Sequence, residues 1–167
     1  PGHHRPSLIF LRRPPLVFPL REWKCLDTSG YDCHIGWYQM PSRKVPLITQ
    51  EIYHVLNRGV ARAPIFTDKR SYMRFLQALN YYRFANCPIK LSHFLVLSIQ
   101  DRDMLMNTLE KESKKLVEIY CYCLMPNHFH LLIRQLVDKG ISKFIGKAIN
   151  SYSKYFNIRR DREGPLL

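Results

Sequence analysis

The 167-residue sequence predicts an α+β fold, an antiparallel sheet with helices packed on one face. Three observations lead there. Val117 to Gln135, VEIYCYCLMPNHFHLLIRQ, is two runs rich in β-branched and aromatic residues around Pro126-Asn127, the pattern of two antiparallel strands and a tight connection. Tyr72, Phe75, Leu76, Leu79 and Tyr82 recur at helical spacing before it. Ile141, Phe144, Ile145, Ala148, Ile149, Tyr152 and Phe156 do so again after it.

Taken in order, residues 1–39 differ from the rest, with five of the eleven prolines, both tryptophans and two of the five cysteines. Leu8 to Leu20 is apolar but broken by Arg12-Arg13-Pro14-Pro15, which excludes a signal-peptide hydrophobic region. Met40-Pro41-Ser42-Arg43-Lys44 looks like a natural start. Residues 1–39 are therefore read as a non-native or unstructured extension, and residues 40–167 as one domain. Ile52 to Arg58 reads as a short strand closed by Gly59. Its His54 is expected to be packed or hydrogen-bonded rather than a ligand, because no second ligand-type residue lies beside it. Thr67 or Asp68 caps the first helix, whose aromatic stripe is core rather than a base-stacking platform.

Residues 84–115 are the least legible. Pro88 breaks the chain, and Leu91 to Ile99 suits either a strand or a buried segment. Asp101 to Lys115 is weakly helical, with Met104, Leu105 and Leu109 as its apolar side. Gly140 leads into the last helix, whose outer side carries Lys143, Lys147, Asn150 and Lys154, with Arg159, Arg160 and Arg162 extending the charge.

That charge narrows the partners. There are 26 basic and 13 acidic residues, a net +13, and +11 remains when residues 1–39 are set aside. Such a surplus favours a polyanion, chiefly nucleic acid or an anionic surface. A well-solvated basic protein has the same composition. No apolar run approaches the ~18 residues of a membrane span, so no membrane partner is expected. Five cysteines without an export signal point to a reducing cytoplasm.

Chemistry concentrates at His128 and His130. Side chains alternate along a strand, so these imidazoles share one face while Phe129 enters the other. Two imidazoles on one rigid strand make half of a metal site, although strand histidines are commonly just hydrogen-bonded. Cys121 and Cys123 add the outline of a CxC…HxH zinc site. Whether the pairs share a face depends on the hairpin. A three-residue connection sets Cys123 opposite Phe129, whereas two or four residues align cysteines with histidines. Buried, inert cysteines are the favoured reading.

Tyr122 to Leu132, YCLMPNHFHLL, closely resembles the core motif of single-tyrosine transposases of the HUH endonuclease superfamily, within it the REP-associated and short insertion-sequence type. Ile52–Gly59 (IYHVLNRG), Ile65–Asp68 with Tyr72, Phe75 and Leu76, and Gly140–Phe144 running to Tyr155-Phe156-Asn157 and Gly164 resemble further family stretches in the same order. The resemblance covers about residues 46 to 167 and implies a ferredoxin-like sheet with its site on the open face. It further implies DNA transposition by a homodimer through single-strand cleavage and rejoining of single-stranded or hairpin DNA. His128 and His130 would then be ligands of Mg²⁺ or Mn²⁺, with a third ligand elsewhere. A tyrosine hydroxyl would attack the phosphodiester, leaving a 5′-phosphotyrosine and a free 3′-hydroxyl. Arg58, Arg62, Lys143, Lys147, Lys154, Arg159 and Arg160 are the DNA-contact candidates.

Tyr152 and Tyr155 are weak candidates for the nucleophile, since both project within the apolar side of their helix. In the REP-associated type the nucleophile belongs to a later Tyr-Ile-His-x-Asn-Pro-like motif, which follows the exit segment that here reads Gly164-Pro165-Leu166-Leu167. The expectation is a transposase domain truncated at its C-terminus, DNA-binding but catalytically incomplete. A non-catalytic nucleic-acid-binding module and a zinc-stabilised structural domain are the alternatives. A chain begun at Met40 is expected to fold and stay soluble, and loss of its circular dichroism signal would overturn the reading of residues 1–39.

Overall fold

The computed structural model describes residues 47–167 together with the backbone of Cys25–Leu26; the remainder of the expected extension lies outside the described residues. The elements are β1 (Cys25–Leu26), β2 (Ile52–Arg58), a 3₁₀ turn (Val60–Arg62), α1 (Lys69–Tyr82), α2 (Leu91–Phe94), α3 (Ile99–Glu112), β3 (Val117–Met125), β4 (His128–Gln135) and α4 (Gly140–Arg160). Strand order is β1-β2-β4-β3, with β4 antiparallel to both β2 and β3. The two-residue β1 lies parallel to β2, Cys25 opposite His54. This is the predicted α+β architecture, with β2, α1, β3, β4 and α4 following the ferredoxin-like order.

Alternation along the strands makes the sheet two-faced. Phe129, Leu131 and Ile133 of β4 are fully buried, and Tyr53 and Val55 of β2 join them. Against this face pack Phe75 and Leu79 of α1 and Phe144, Ala148 and Tyr152 of α4. Ring contacts run from the sheet through both helices, Phe129 to Phe75 at 4.9 Å and Phe75 to Tyr152 at 5.2 Å. The predicted helix stripes are therefore core. Burial of this apolar surface is the main drive holding the helices to the sheet.

Polar groups settle where the helices start. Asp68 Oδ1 accepts from Ser71 N at 2.9 Å, and Asp68 N donates to Ser71 Oγ at 3.1 Å, a reciprocal cap of α1. The start of α4 has no capping side chain at Lys139. Instead the buried Gln135 accepts from Ile141 N at 3.2 Å and donates to Leu47 O at 2.8 Å. Gly140 must be glycine there, because a Cβ would collide with the Leu116 carbonyl.

Two expectations for residues 84–115 are corrected. Leu91 to Ile99 is neither a strand nor wholly buried. Leu91–Phe94 forms a single helical turn anchored by Leu91 and Phe94, and Val96 is exposed. In α3 the exposed Met104 does not join Leu109, because five residues of helix turn it to the opposite side. Leu109 alone is fully buried in α3, a thin attachment for a 14-residue helix.

Candidate functional site

The face of the sheet turned away from α1 and α4 gathers the chemistry. Register pairs Arg58 with His128, Leu56 with His130 and His54 with Leu132 across β2 and β4. On the other side Met125 pairs with His128, Cys123 with His130 and Cys121 with Leu132. Pro126-Asn127 is thus a two-residue connection, and the cysteines share the histidines' face. The expectation of buried cysteines fails here: Cys121 is exposed and Cys123 half-buried. The physical reason is the short turn, which sets the register that a three-residue connection would have reversed.

The turn itself is held from outside the hairpin. Pro126 O accepts from Ile65 N at 2.8 Å and Phe66 N at 2.9 Å, and Asn127 O accepts from Gly59 N at 2.9 Å. Gly59 allows this approach, since a Cβ there would strike the Ala63 carbonyl. Asn127 Nδ2 also donates to Arg62 O at 3.3 Å. The chain from Gly59 to Phe66 therefore clamps the turn that carries His128.

Each site imidazole has one nitrogen engaged. His128 Nδ1 donates to Asn127 Oδ1 at 2.7 Å. His130 Nδ1 lies 2.8 Å from His54 Nε2. The His128 and His130 ring centres are 5.0 Å apart. His54 is hydrogen-bonded, as expected, but the reason given for excluding a neighbour is corrected: β4 brings His130 against it. Burial, then the Arg58 charge, pushes the His128 pKa below the ordinary imidazole value. Burial likewise comes first for His130, followed by His54, His128 and Arg58. Both rings therefore hold neutral lone pairs at neutral pH, the form that ligates a metal. Arg58 is exposed, and its guanidinium has no partner among the described residues.

A family of known proteins, described as Transposase IS200 like, matches residues 77–164, more than half of the chain and all of the hairpin. The chain belongs to the IS200-like transposase family. Its place is therefore in DNA transposition, and DNA is its expected partner. No curated protein and no solved structure matches it. Among the described residues no helix is long and apolar enough to cross a membrane.

The remaining site candidates of this transposase divide between two faces. Arg58 and Arg62 lie at the hairpin end, near the histidines. Lys143, Lys147 and Lys154 are exposed on α4, behind the sheet, and Lys147 Nζ donates to Ala85 O at 3.0 Å. Arg159 pairs with Asp68 at 2.8 Å and Arg160 does so at 3.2 Å, fastening the end of α4 to the start of α1. The Arg159 hydrogen bond, helped by Ser71 N, holds the Asp68 carboxyl at about 2. Those two arginines are already engaged within the protein.

Tyr152 and Tyr155 also stand behind the sheet. Tyr152 is fully buried, donates to Ile65 O, and burial pushes its hydroxyl well above the ordinary phenol range. Tyr155 accepts from Arg159 Nη1 at 3.2 Å, under the Arg74 guanidinium. Neither is brought to His128 and His130. Tyr120, the extra residue of the β3 bulge, donates to Glu118 at 3.2 Å and lies against Arg134, at the strand end away from the turn.

Two half-buried imidazoles, each with one nitrogen engaged, leave two nitrogen donors on one strand face, half of a metal site at most. Among the described residues no three His, Cys, Asp or Glu side chains converge to hold an ion.

The lowered histidine pKa values set a pH dependence. In the unfolded chain these imidazoles take up protons near the ordinary value of 6.5, before the folded chain does. Their contribution to stability is present above that pH and is lost as pH falls through the lower folded values. Urea midpoints should therefore drop on acidification below about pH 6.5, and His128→Asn with His130→Asn should flatten that drop. An unchanged slope in the double variant would contradict the assignment.

Proposed function

We propose that the open face of β2, β4 and β3 is the cleavage face of a single-tyrosine, HUH-type transposase of the REP-associated kind, acting as a homodimer on single-stranded, hairpin-bearing DNA. The observation that carries this reading is how the imidazoles are presented. His128 and His130 each have Nδ1 engaged, by Asn127 and His54, and both stand on the face that carries Arg58, whose guanidinium has no partner among the described residues. Their Nε2 atoms are the nitrogens left to hold Mg²⁺ or Mn²⁺. Such an ion supplies Lewis-acid polarisation of the phosphate.

The protein's own residues do the rest. Arg58, across the strand pair from His128, offers a fork of donors to a phosphate oxygen and fixes the backbone beside the imidazoles. Arg62 extends the positive rim beyond the turn. The helix lysines Lys143, Lys147 and Lys154 provide a salt-sensitive outer surface for DNA flanking the cleaved strand. In the cleavage step a tyrosine oxygen bonds to phosphorus while the bond from phosphorus to the 3′ oxygen breaks. The 3′-hydroxyl leaves carrying a proton, and a 5′-phosphotyrosine remains.

We propose that none of Tyr120, Tyr152 and Tyr155 is that tyrosine. The support is positional. Tyr152 and Tyr155 lie behind the sheet, and Tyr120 is held by Glu118 at its far end. The same observation favours a second reading, in which residues 47–167 form a module that binds structured nucleic acid without cutting it.

Hairpin-bearing single-stranded DNA, titrated by fluorescence anisotropy with and without Mn²⁺, tests the proposal. Affinity should rise with Mn²⁺ and fall by about tenfold or more in His130→Ala, while salt weakens binding steeply between about 50 and 200 mM. No covalent adduct should form through Tyr120, Tyr152 or Tyr155. Affinity indifferent to both Mn²⁺ and His130 would refute the metal reading. A covalent adduct abolished by Tyr152→Phe, Tyr155→Phe or Tyr120→Phe would refute the exclusion of these three tyrosines.

A further inference from the structure

His54 and His130 meet in an arrangement with chemical direction. Their ring planes differ by 6°, and their centres are 5.0 Å apart. Rings in face-to-face contact would not also bring two edge nitrogens to 2.8 Å along the line of centres. Five-membered rings joined at 2.8 Å reach a 5.0 Å separation when both nitrogens lie close to that line. The two imidazoles are therefore nearly coplanar and joined edge to edge, where lone pair and N–H point straight at each other.

Strand geometry explains why these two meet. His130 faces Leu56 directly, and His54 is the next residue on the same face of β2, opposite Leu132. Diagonal neighbours of this kind are within reach of long or aromatic side chains. Leu56 offers His130 no polar atom, so the imidazole turns to the diagonal partner. The row along the face then runs Asn127, His128, His130, His54, each linked to or touching the next.

We propose that His54 is a positioning residue for His130, a role that rests on the metal reading given above. His54 Nε2 accepts the Nδ1–H of His130. That hydrogen bond keeps the His130 proton on Nδ1 and leaves Nε2 with its lone pair facing the open side. The opposite tautomer would carry its proton on the nitrogen that must bind the ion. Asn127 does the same for His128 through its amide oxygen. A ligating histidine generally gives its second N–H to such an acceptor, commonly a carboxylate. An imidazole in that place orients His130 without adding negative charge where a phosphodiester must lie.

The test uses the full 167-residue chain. Long-range ¹H–¹⁵N correlation spectra of the metal-free protein report the His130 tautomer, and calorimetric titration with Mn²⁺ reports affinity. Wild type should show the proton on Nδ1. His54→Leu, which keeps the half-buried strand position apolar, should move that proton toward Nε2 and weaken Mn²⁺ binding about 10- to 100-fold. His54→Gln returns an amide oxygen and should restore much of both signals, and circular dichroism confirms that each variant is folded. An unchanged tautomer in His54→Leu overturns the proposal. So does a loss of Mn²⁺ as complete as in His130→Ala without rescue by Gln, which would make His54 a ligand. Wild type with the Nδ1 tautomer but no Mn²⁺ affinity would instead overturn the metal reading and leave the orienting bond intact.

Discussion

Burial of Phe129, Leu131 and Ile133 beneath α1 and α4 fixes the register of β4, and the site follows from that register. A strand has only two faces, so sinking these three residues lifts His128, His130 and Leu132 onto the other. A slip of one residue would bury the imidazoles and expose the core phenyl ring. The apolar packing thus does chemical work at a distance, presenting two ligand-type side chains on a rigid strand rather than a loop.

A second constraint acts at the hairpin tip. The chain from Gly59 to Phe66 grips Pro126 and Asn127 through backbone bonds, while Asn127 orients His128 and His54 orients His130. The same stretch brings Arg58 to the rim. One short segment therefore couples the turn, the imidazole orientation and the Arg58 charge beside it. Behind the sheet, Asp68 with Arg159 and Arg160 ties α4 to α1, and Tyr152 bonds to Ile65 O at the end of the clamping segment. Residues that look like catalytic or DNA-binding candidates by type are there part of the frame.

Local pattern made much of this legible. Alternation around Phe129 assigned His128 and His130 to a common face, and helical spacing marked Phe75, Leu79, Phe144 and Tyr152 as core. The last helix was readable because its apolar residues fall in a stripe. Legibility ended where long-range pairing decides. Nothing near His54 in sequence reveals His130, which arrives from 76 residues away. The cysteines read as buried because relatives carry apolar residues there, while the turn length that decides their face was open in the sequence. Arg159 and Arg160 read as free charge, since Asp68 is their partner only once the helices pack. Residues 84–115 gave a weak signal because a single short turn and a thinly attached helix leave little periodicity.

On the proposed reading, His128 and His130 together present their Nε2 atoms to a divalent ion on the open sheet face. Electron spin-echo modulation of Mn²⁺ bound to the chain tests it most directly, because imidazole nitrogens on the ion produce a distinct ¹⁴N signal. The account predicts ¹⁴N modulation that weakens in His128→Ala or His130→Ala and disappears in the double variant. Bound Mn²⁺ without ¹⁴N modulation, or modulation that survives in the double variant, would contradict it.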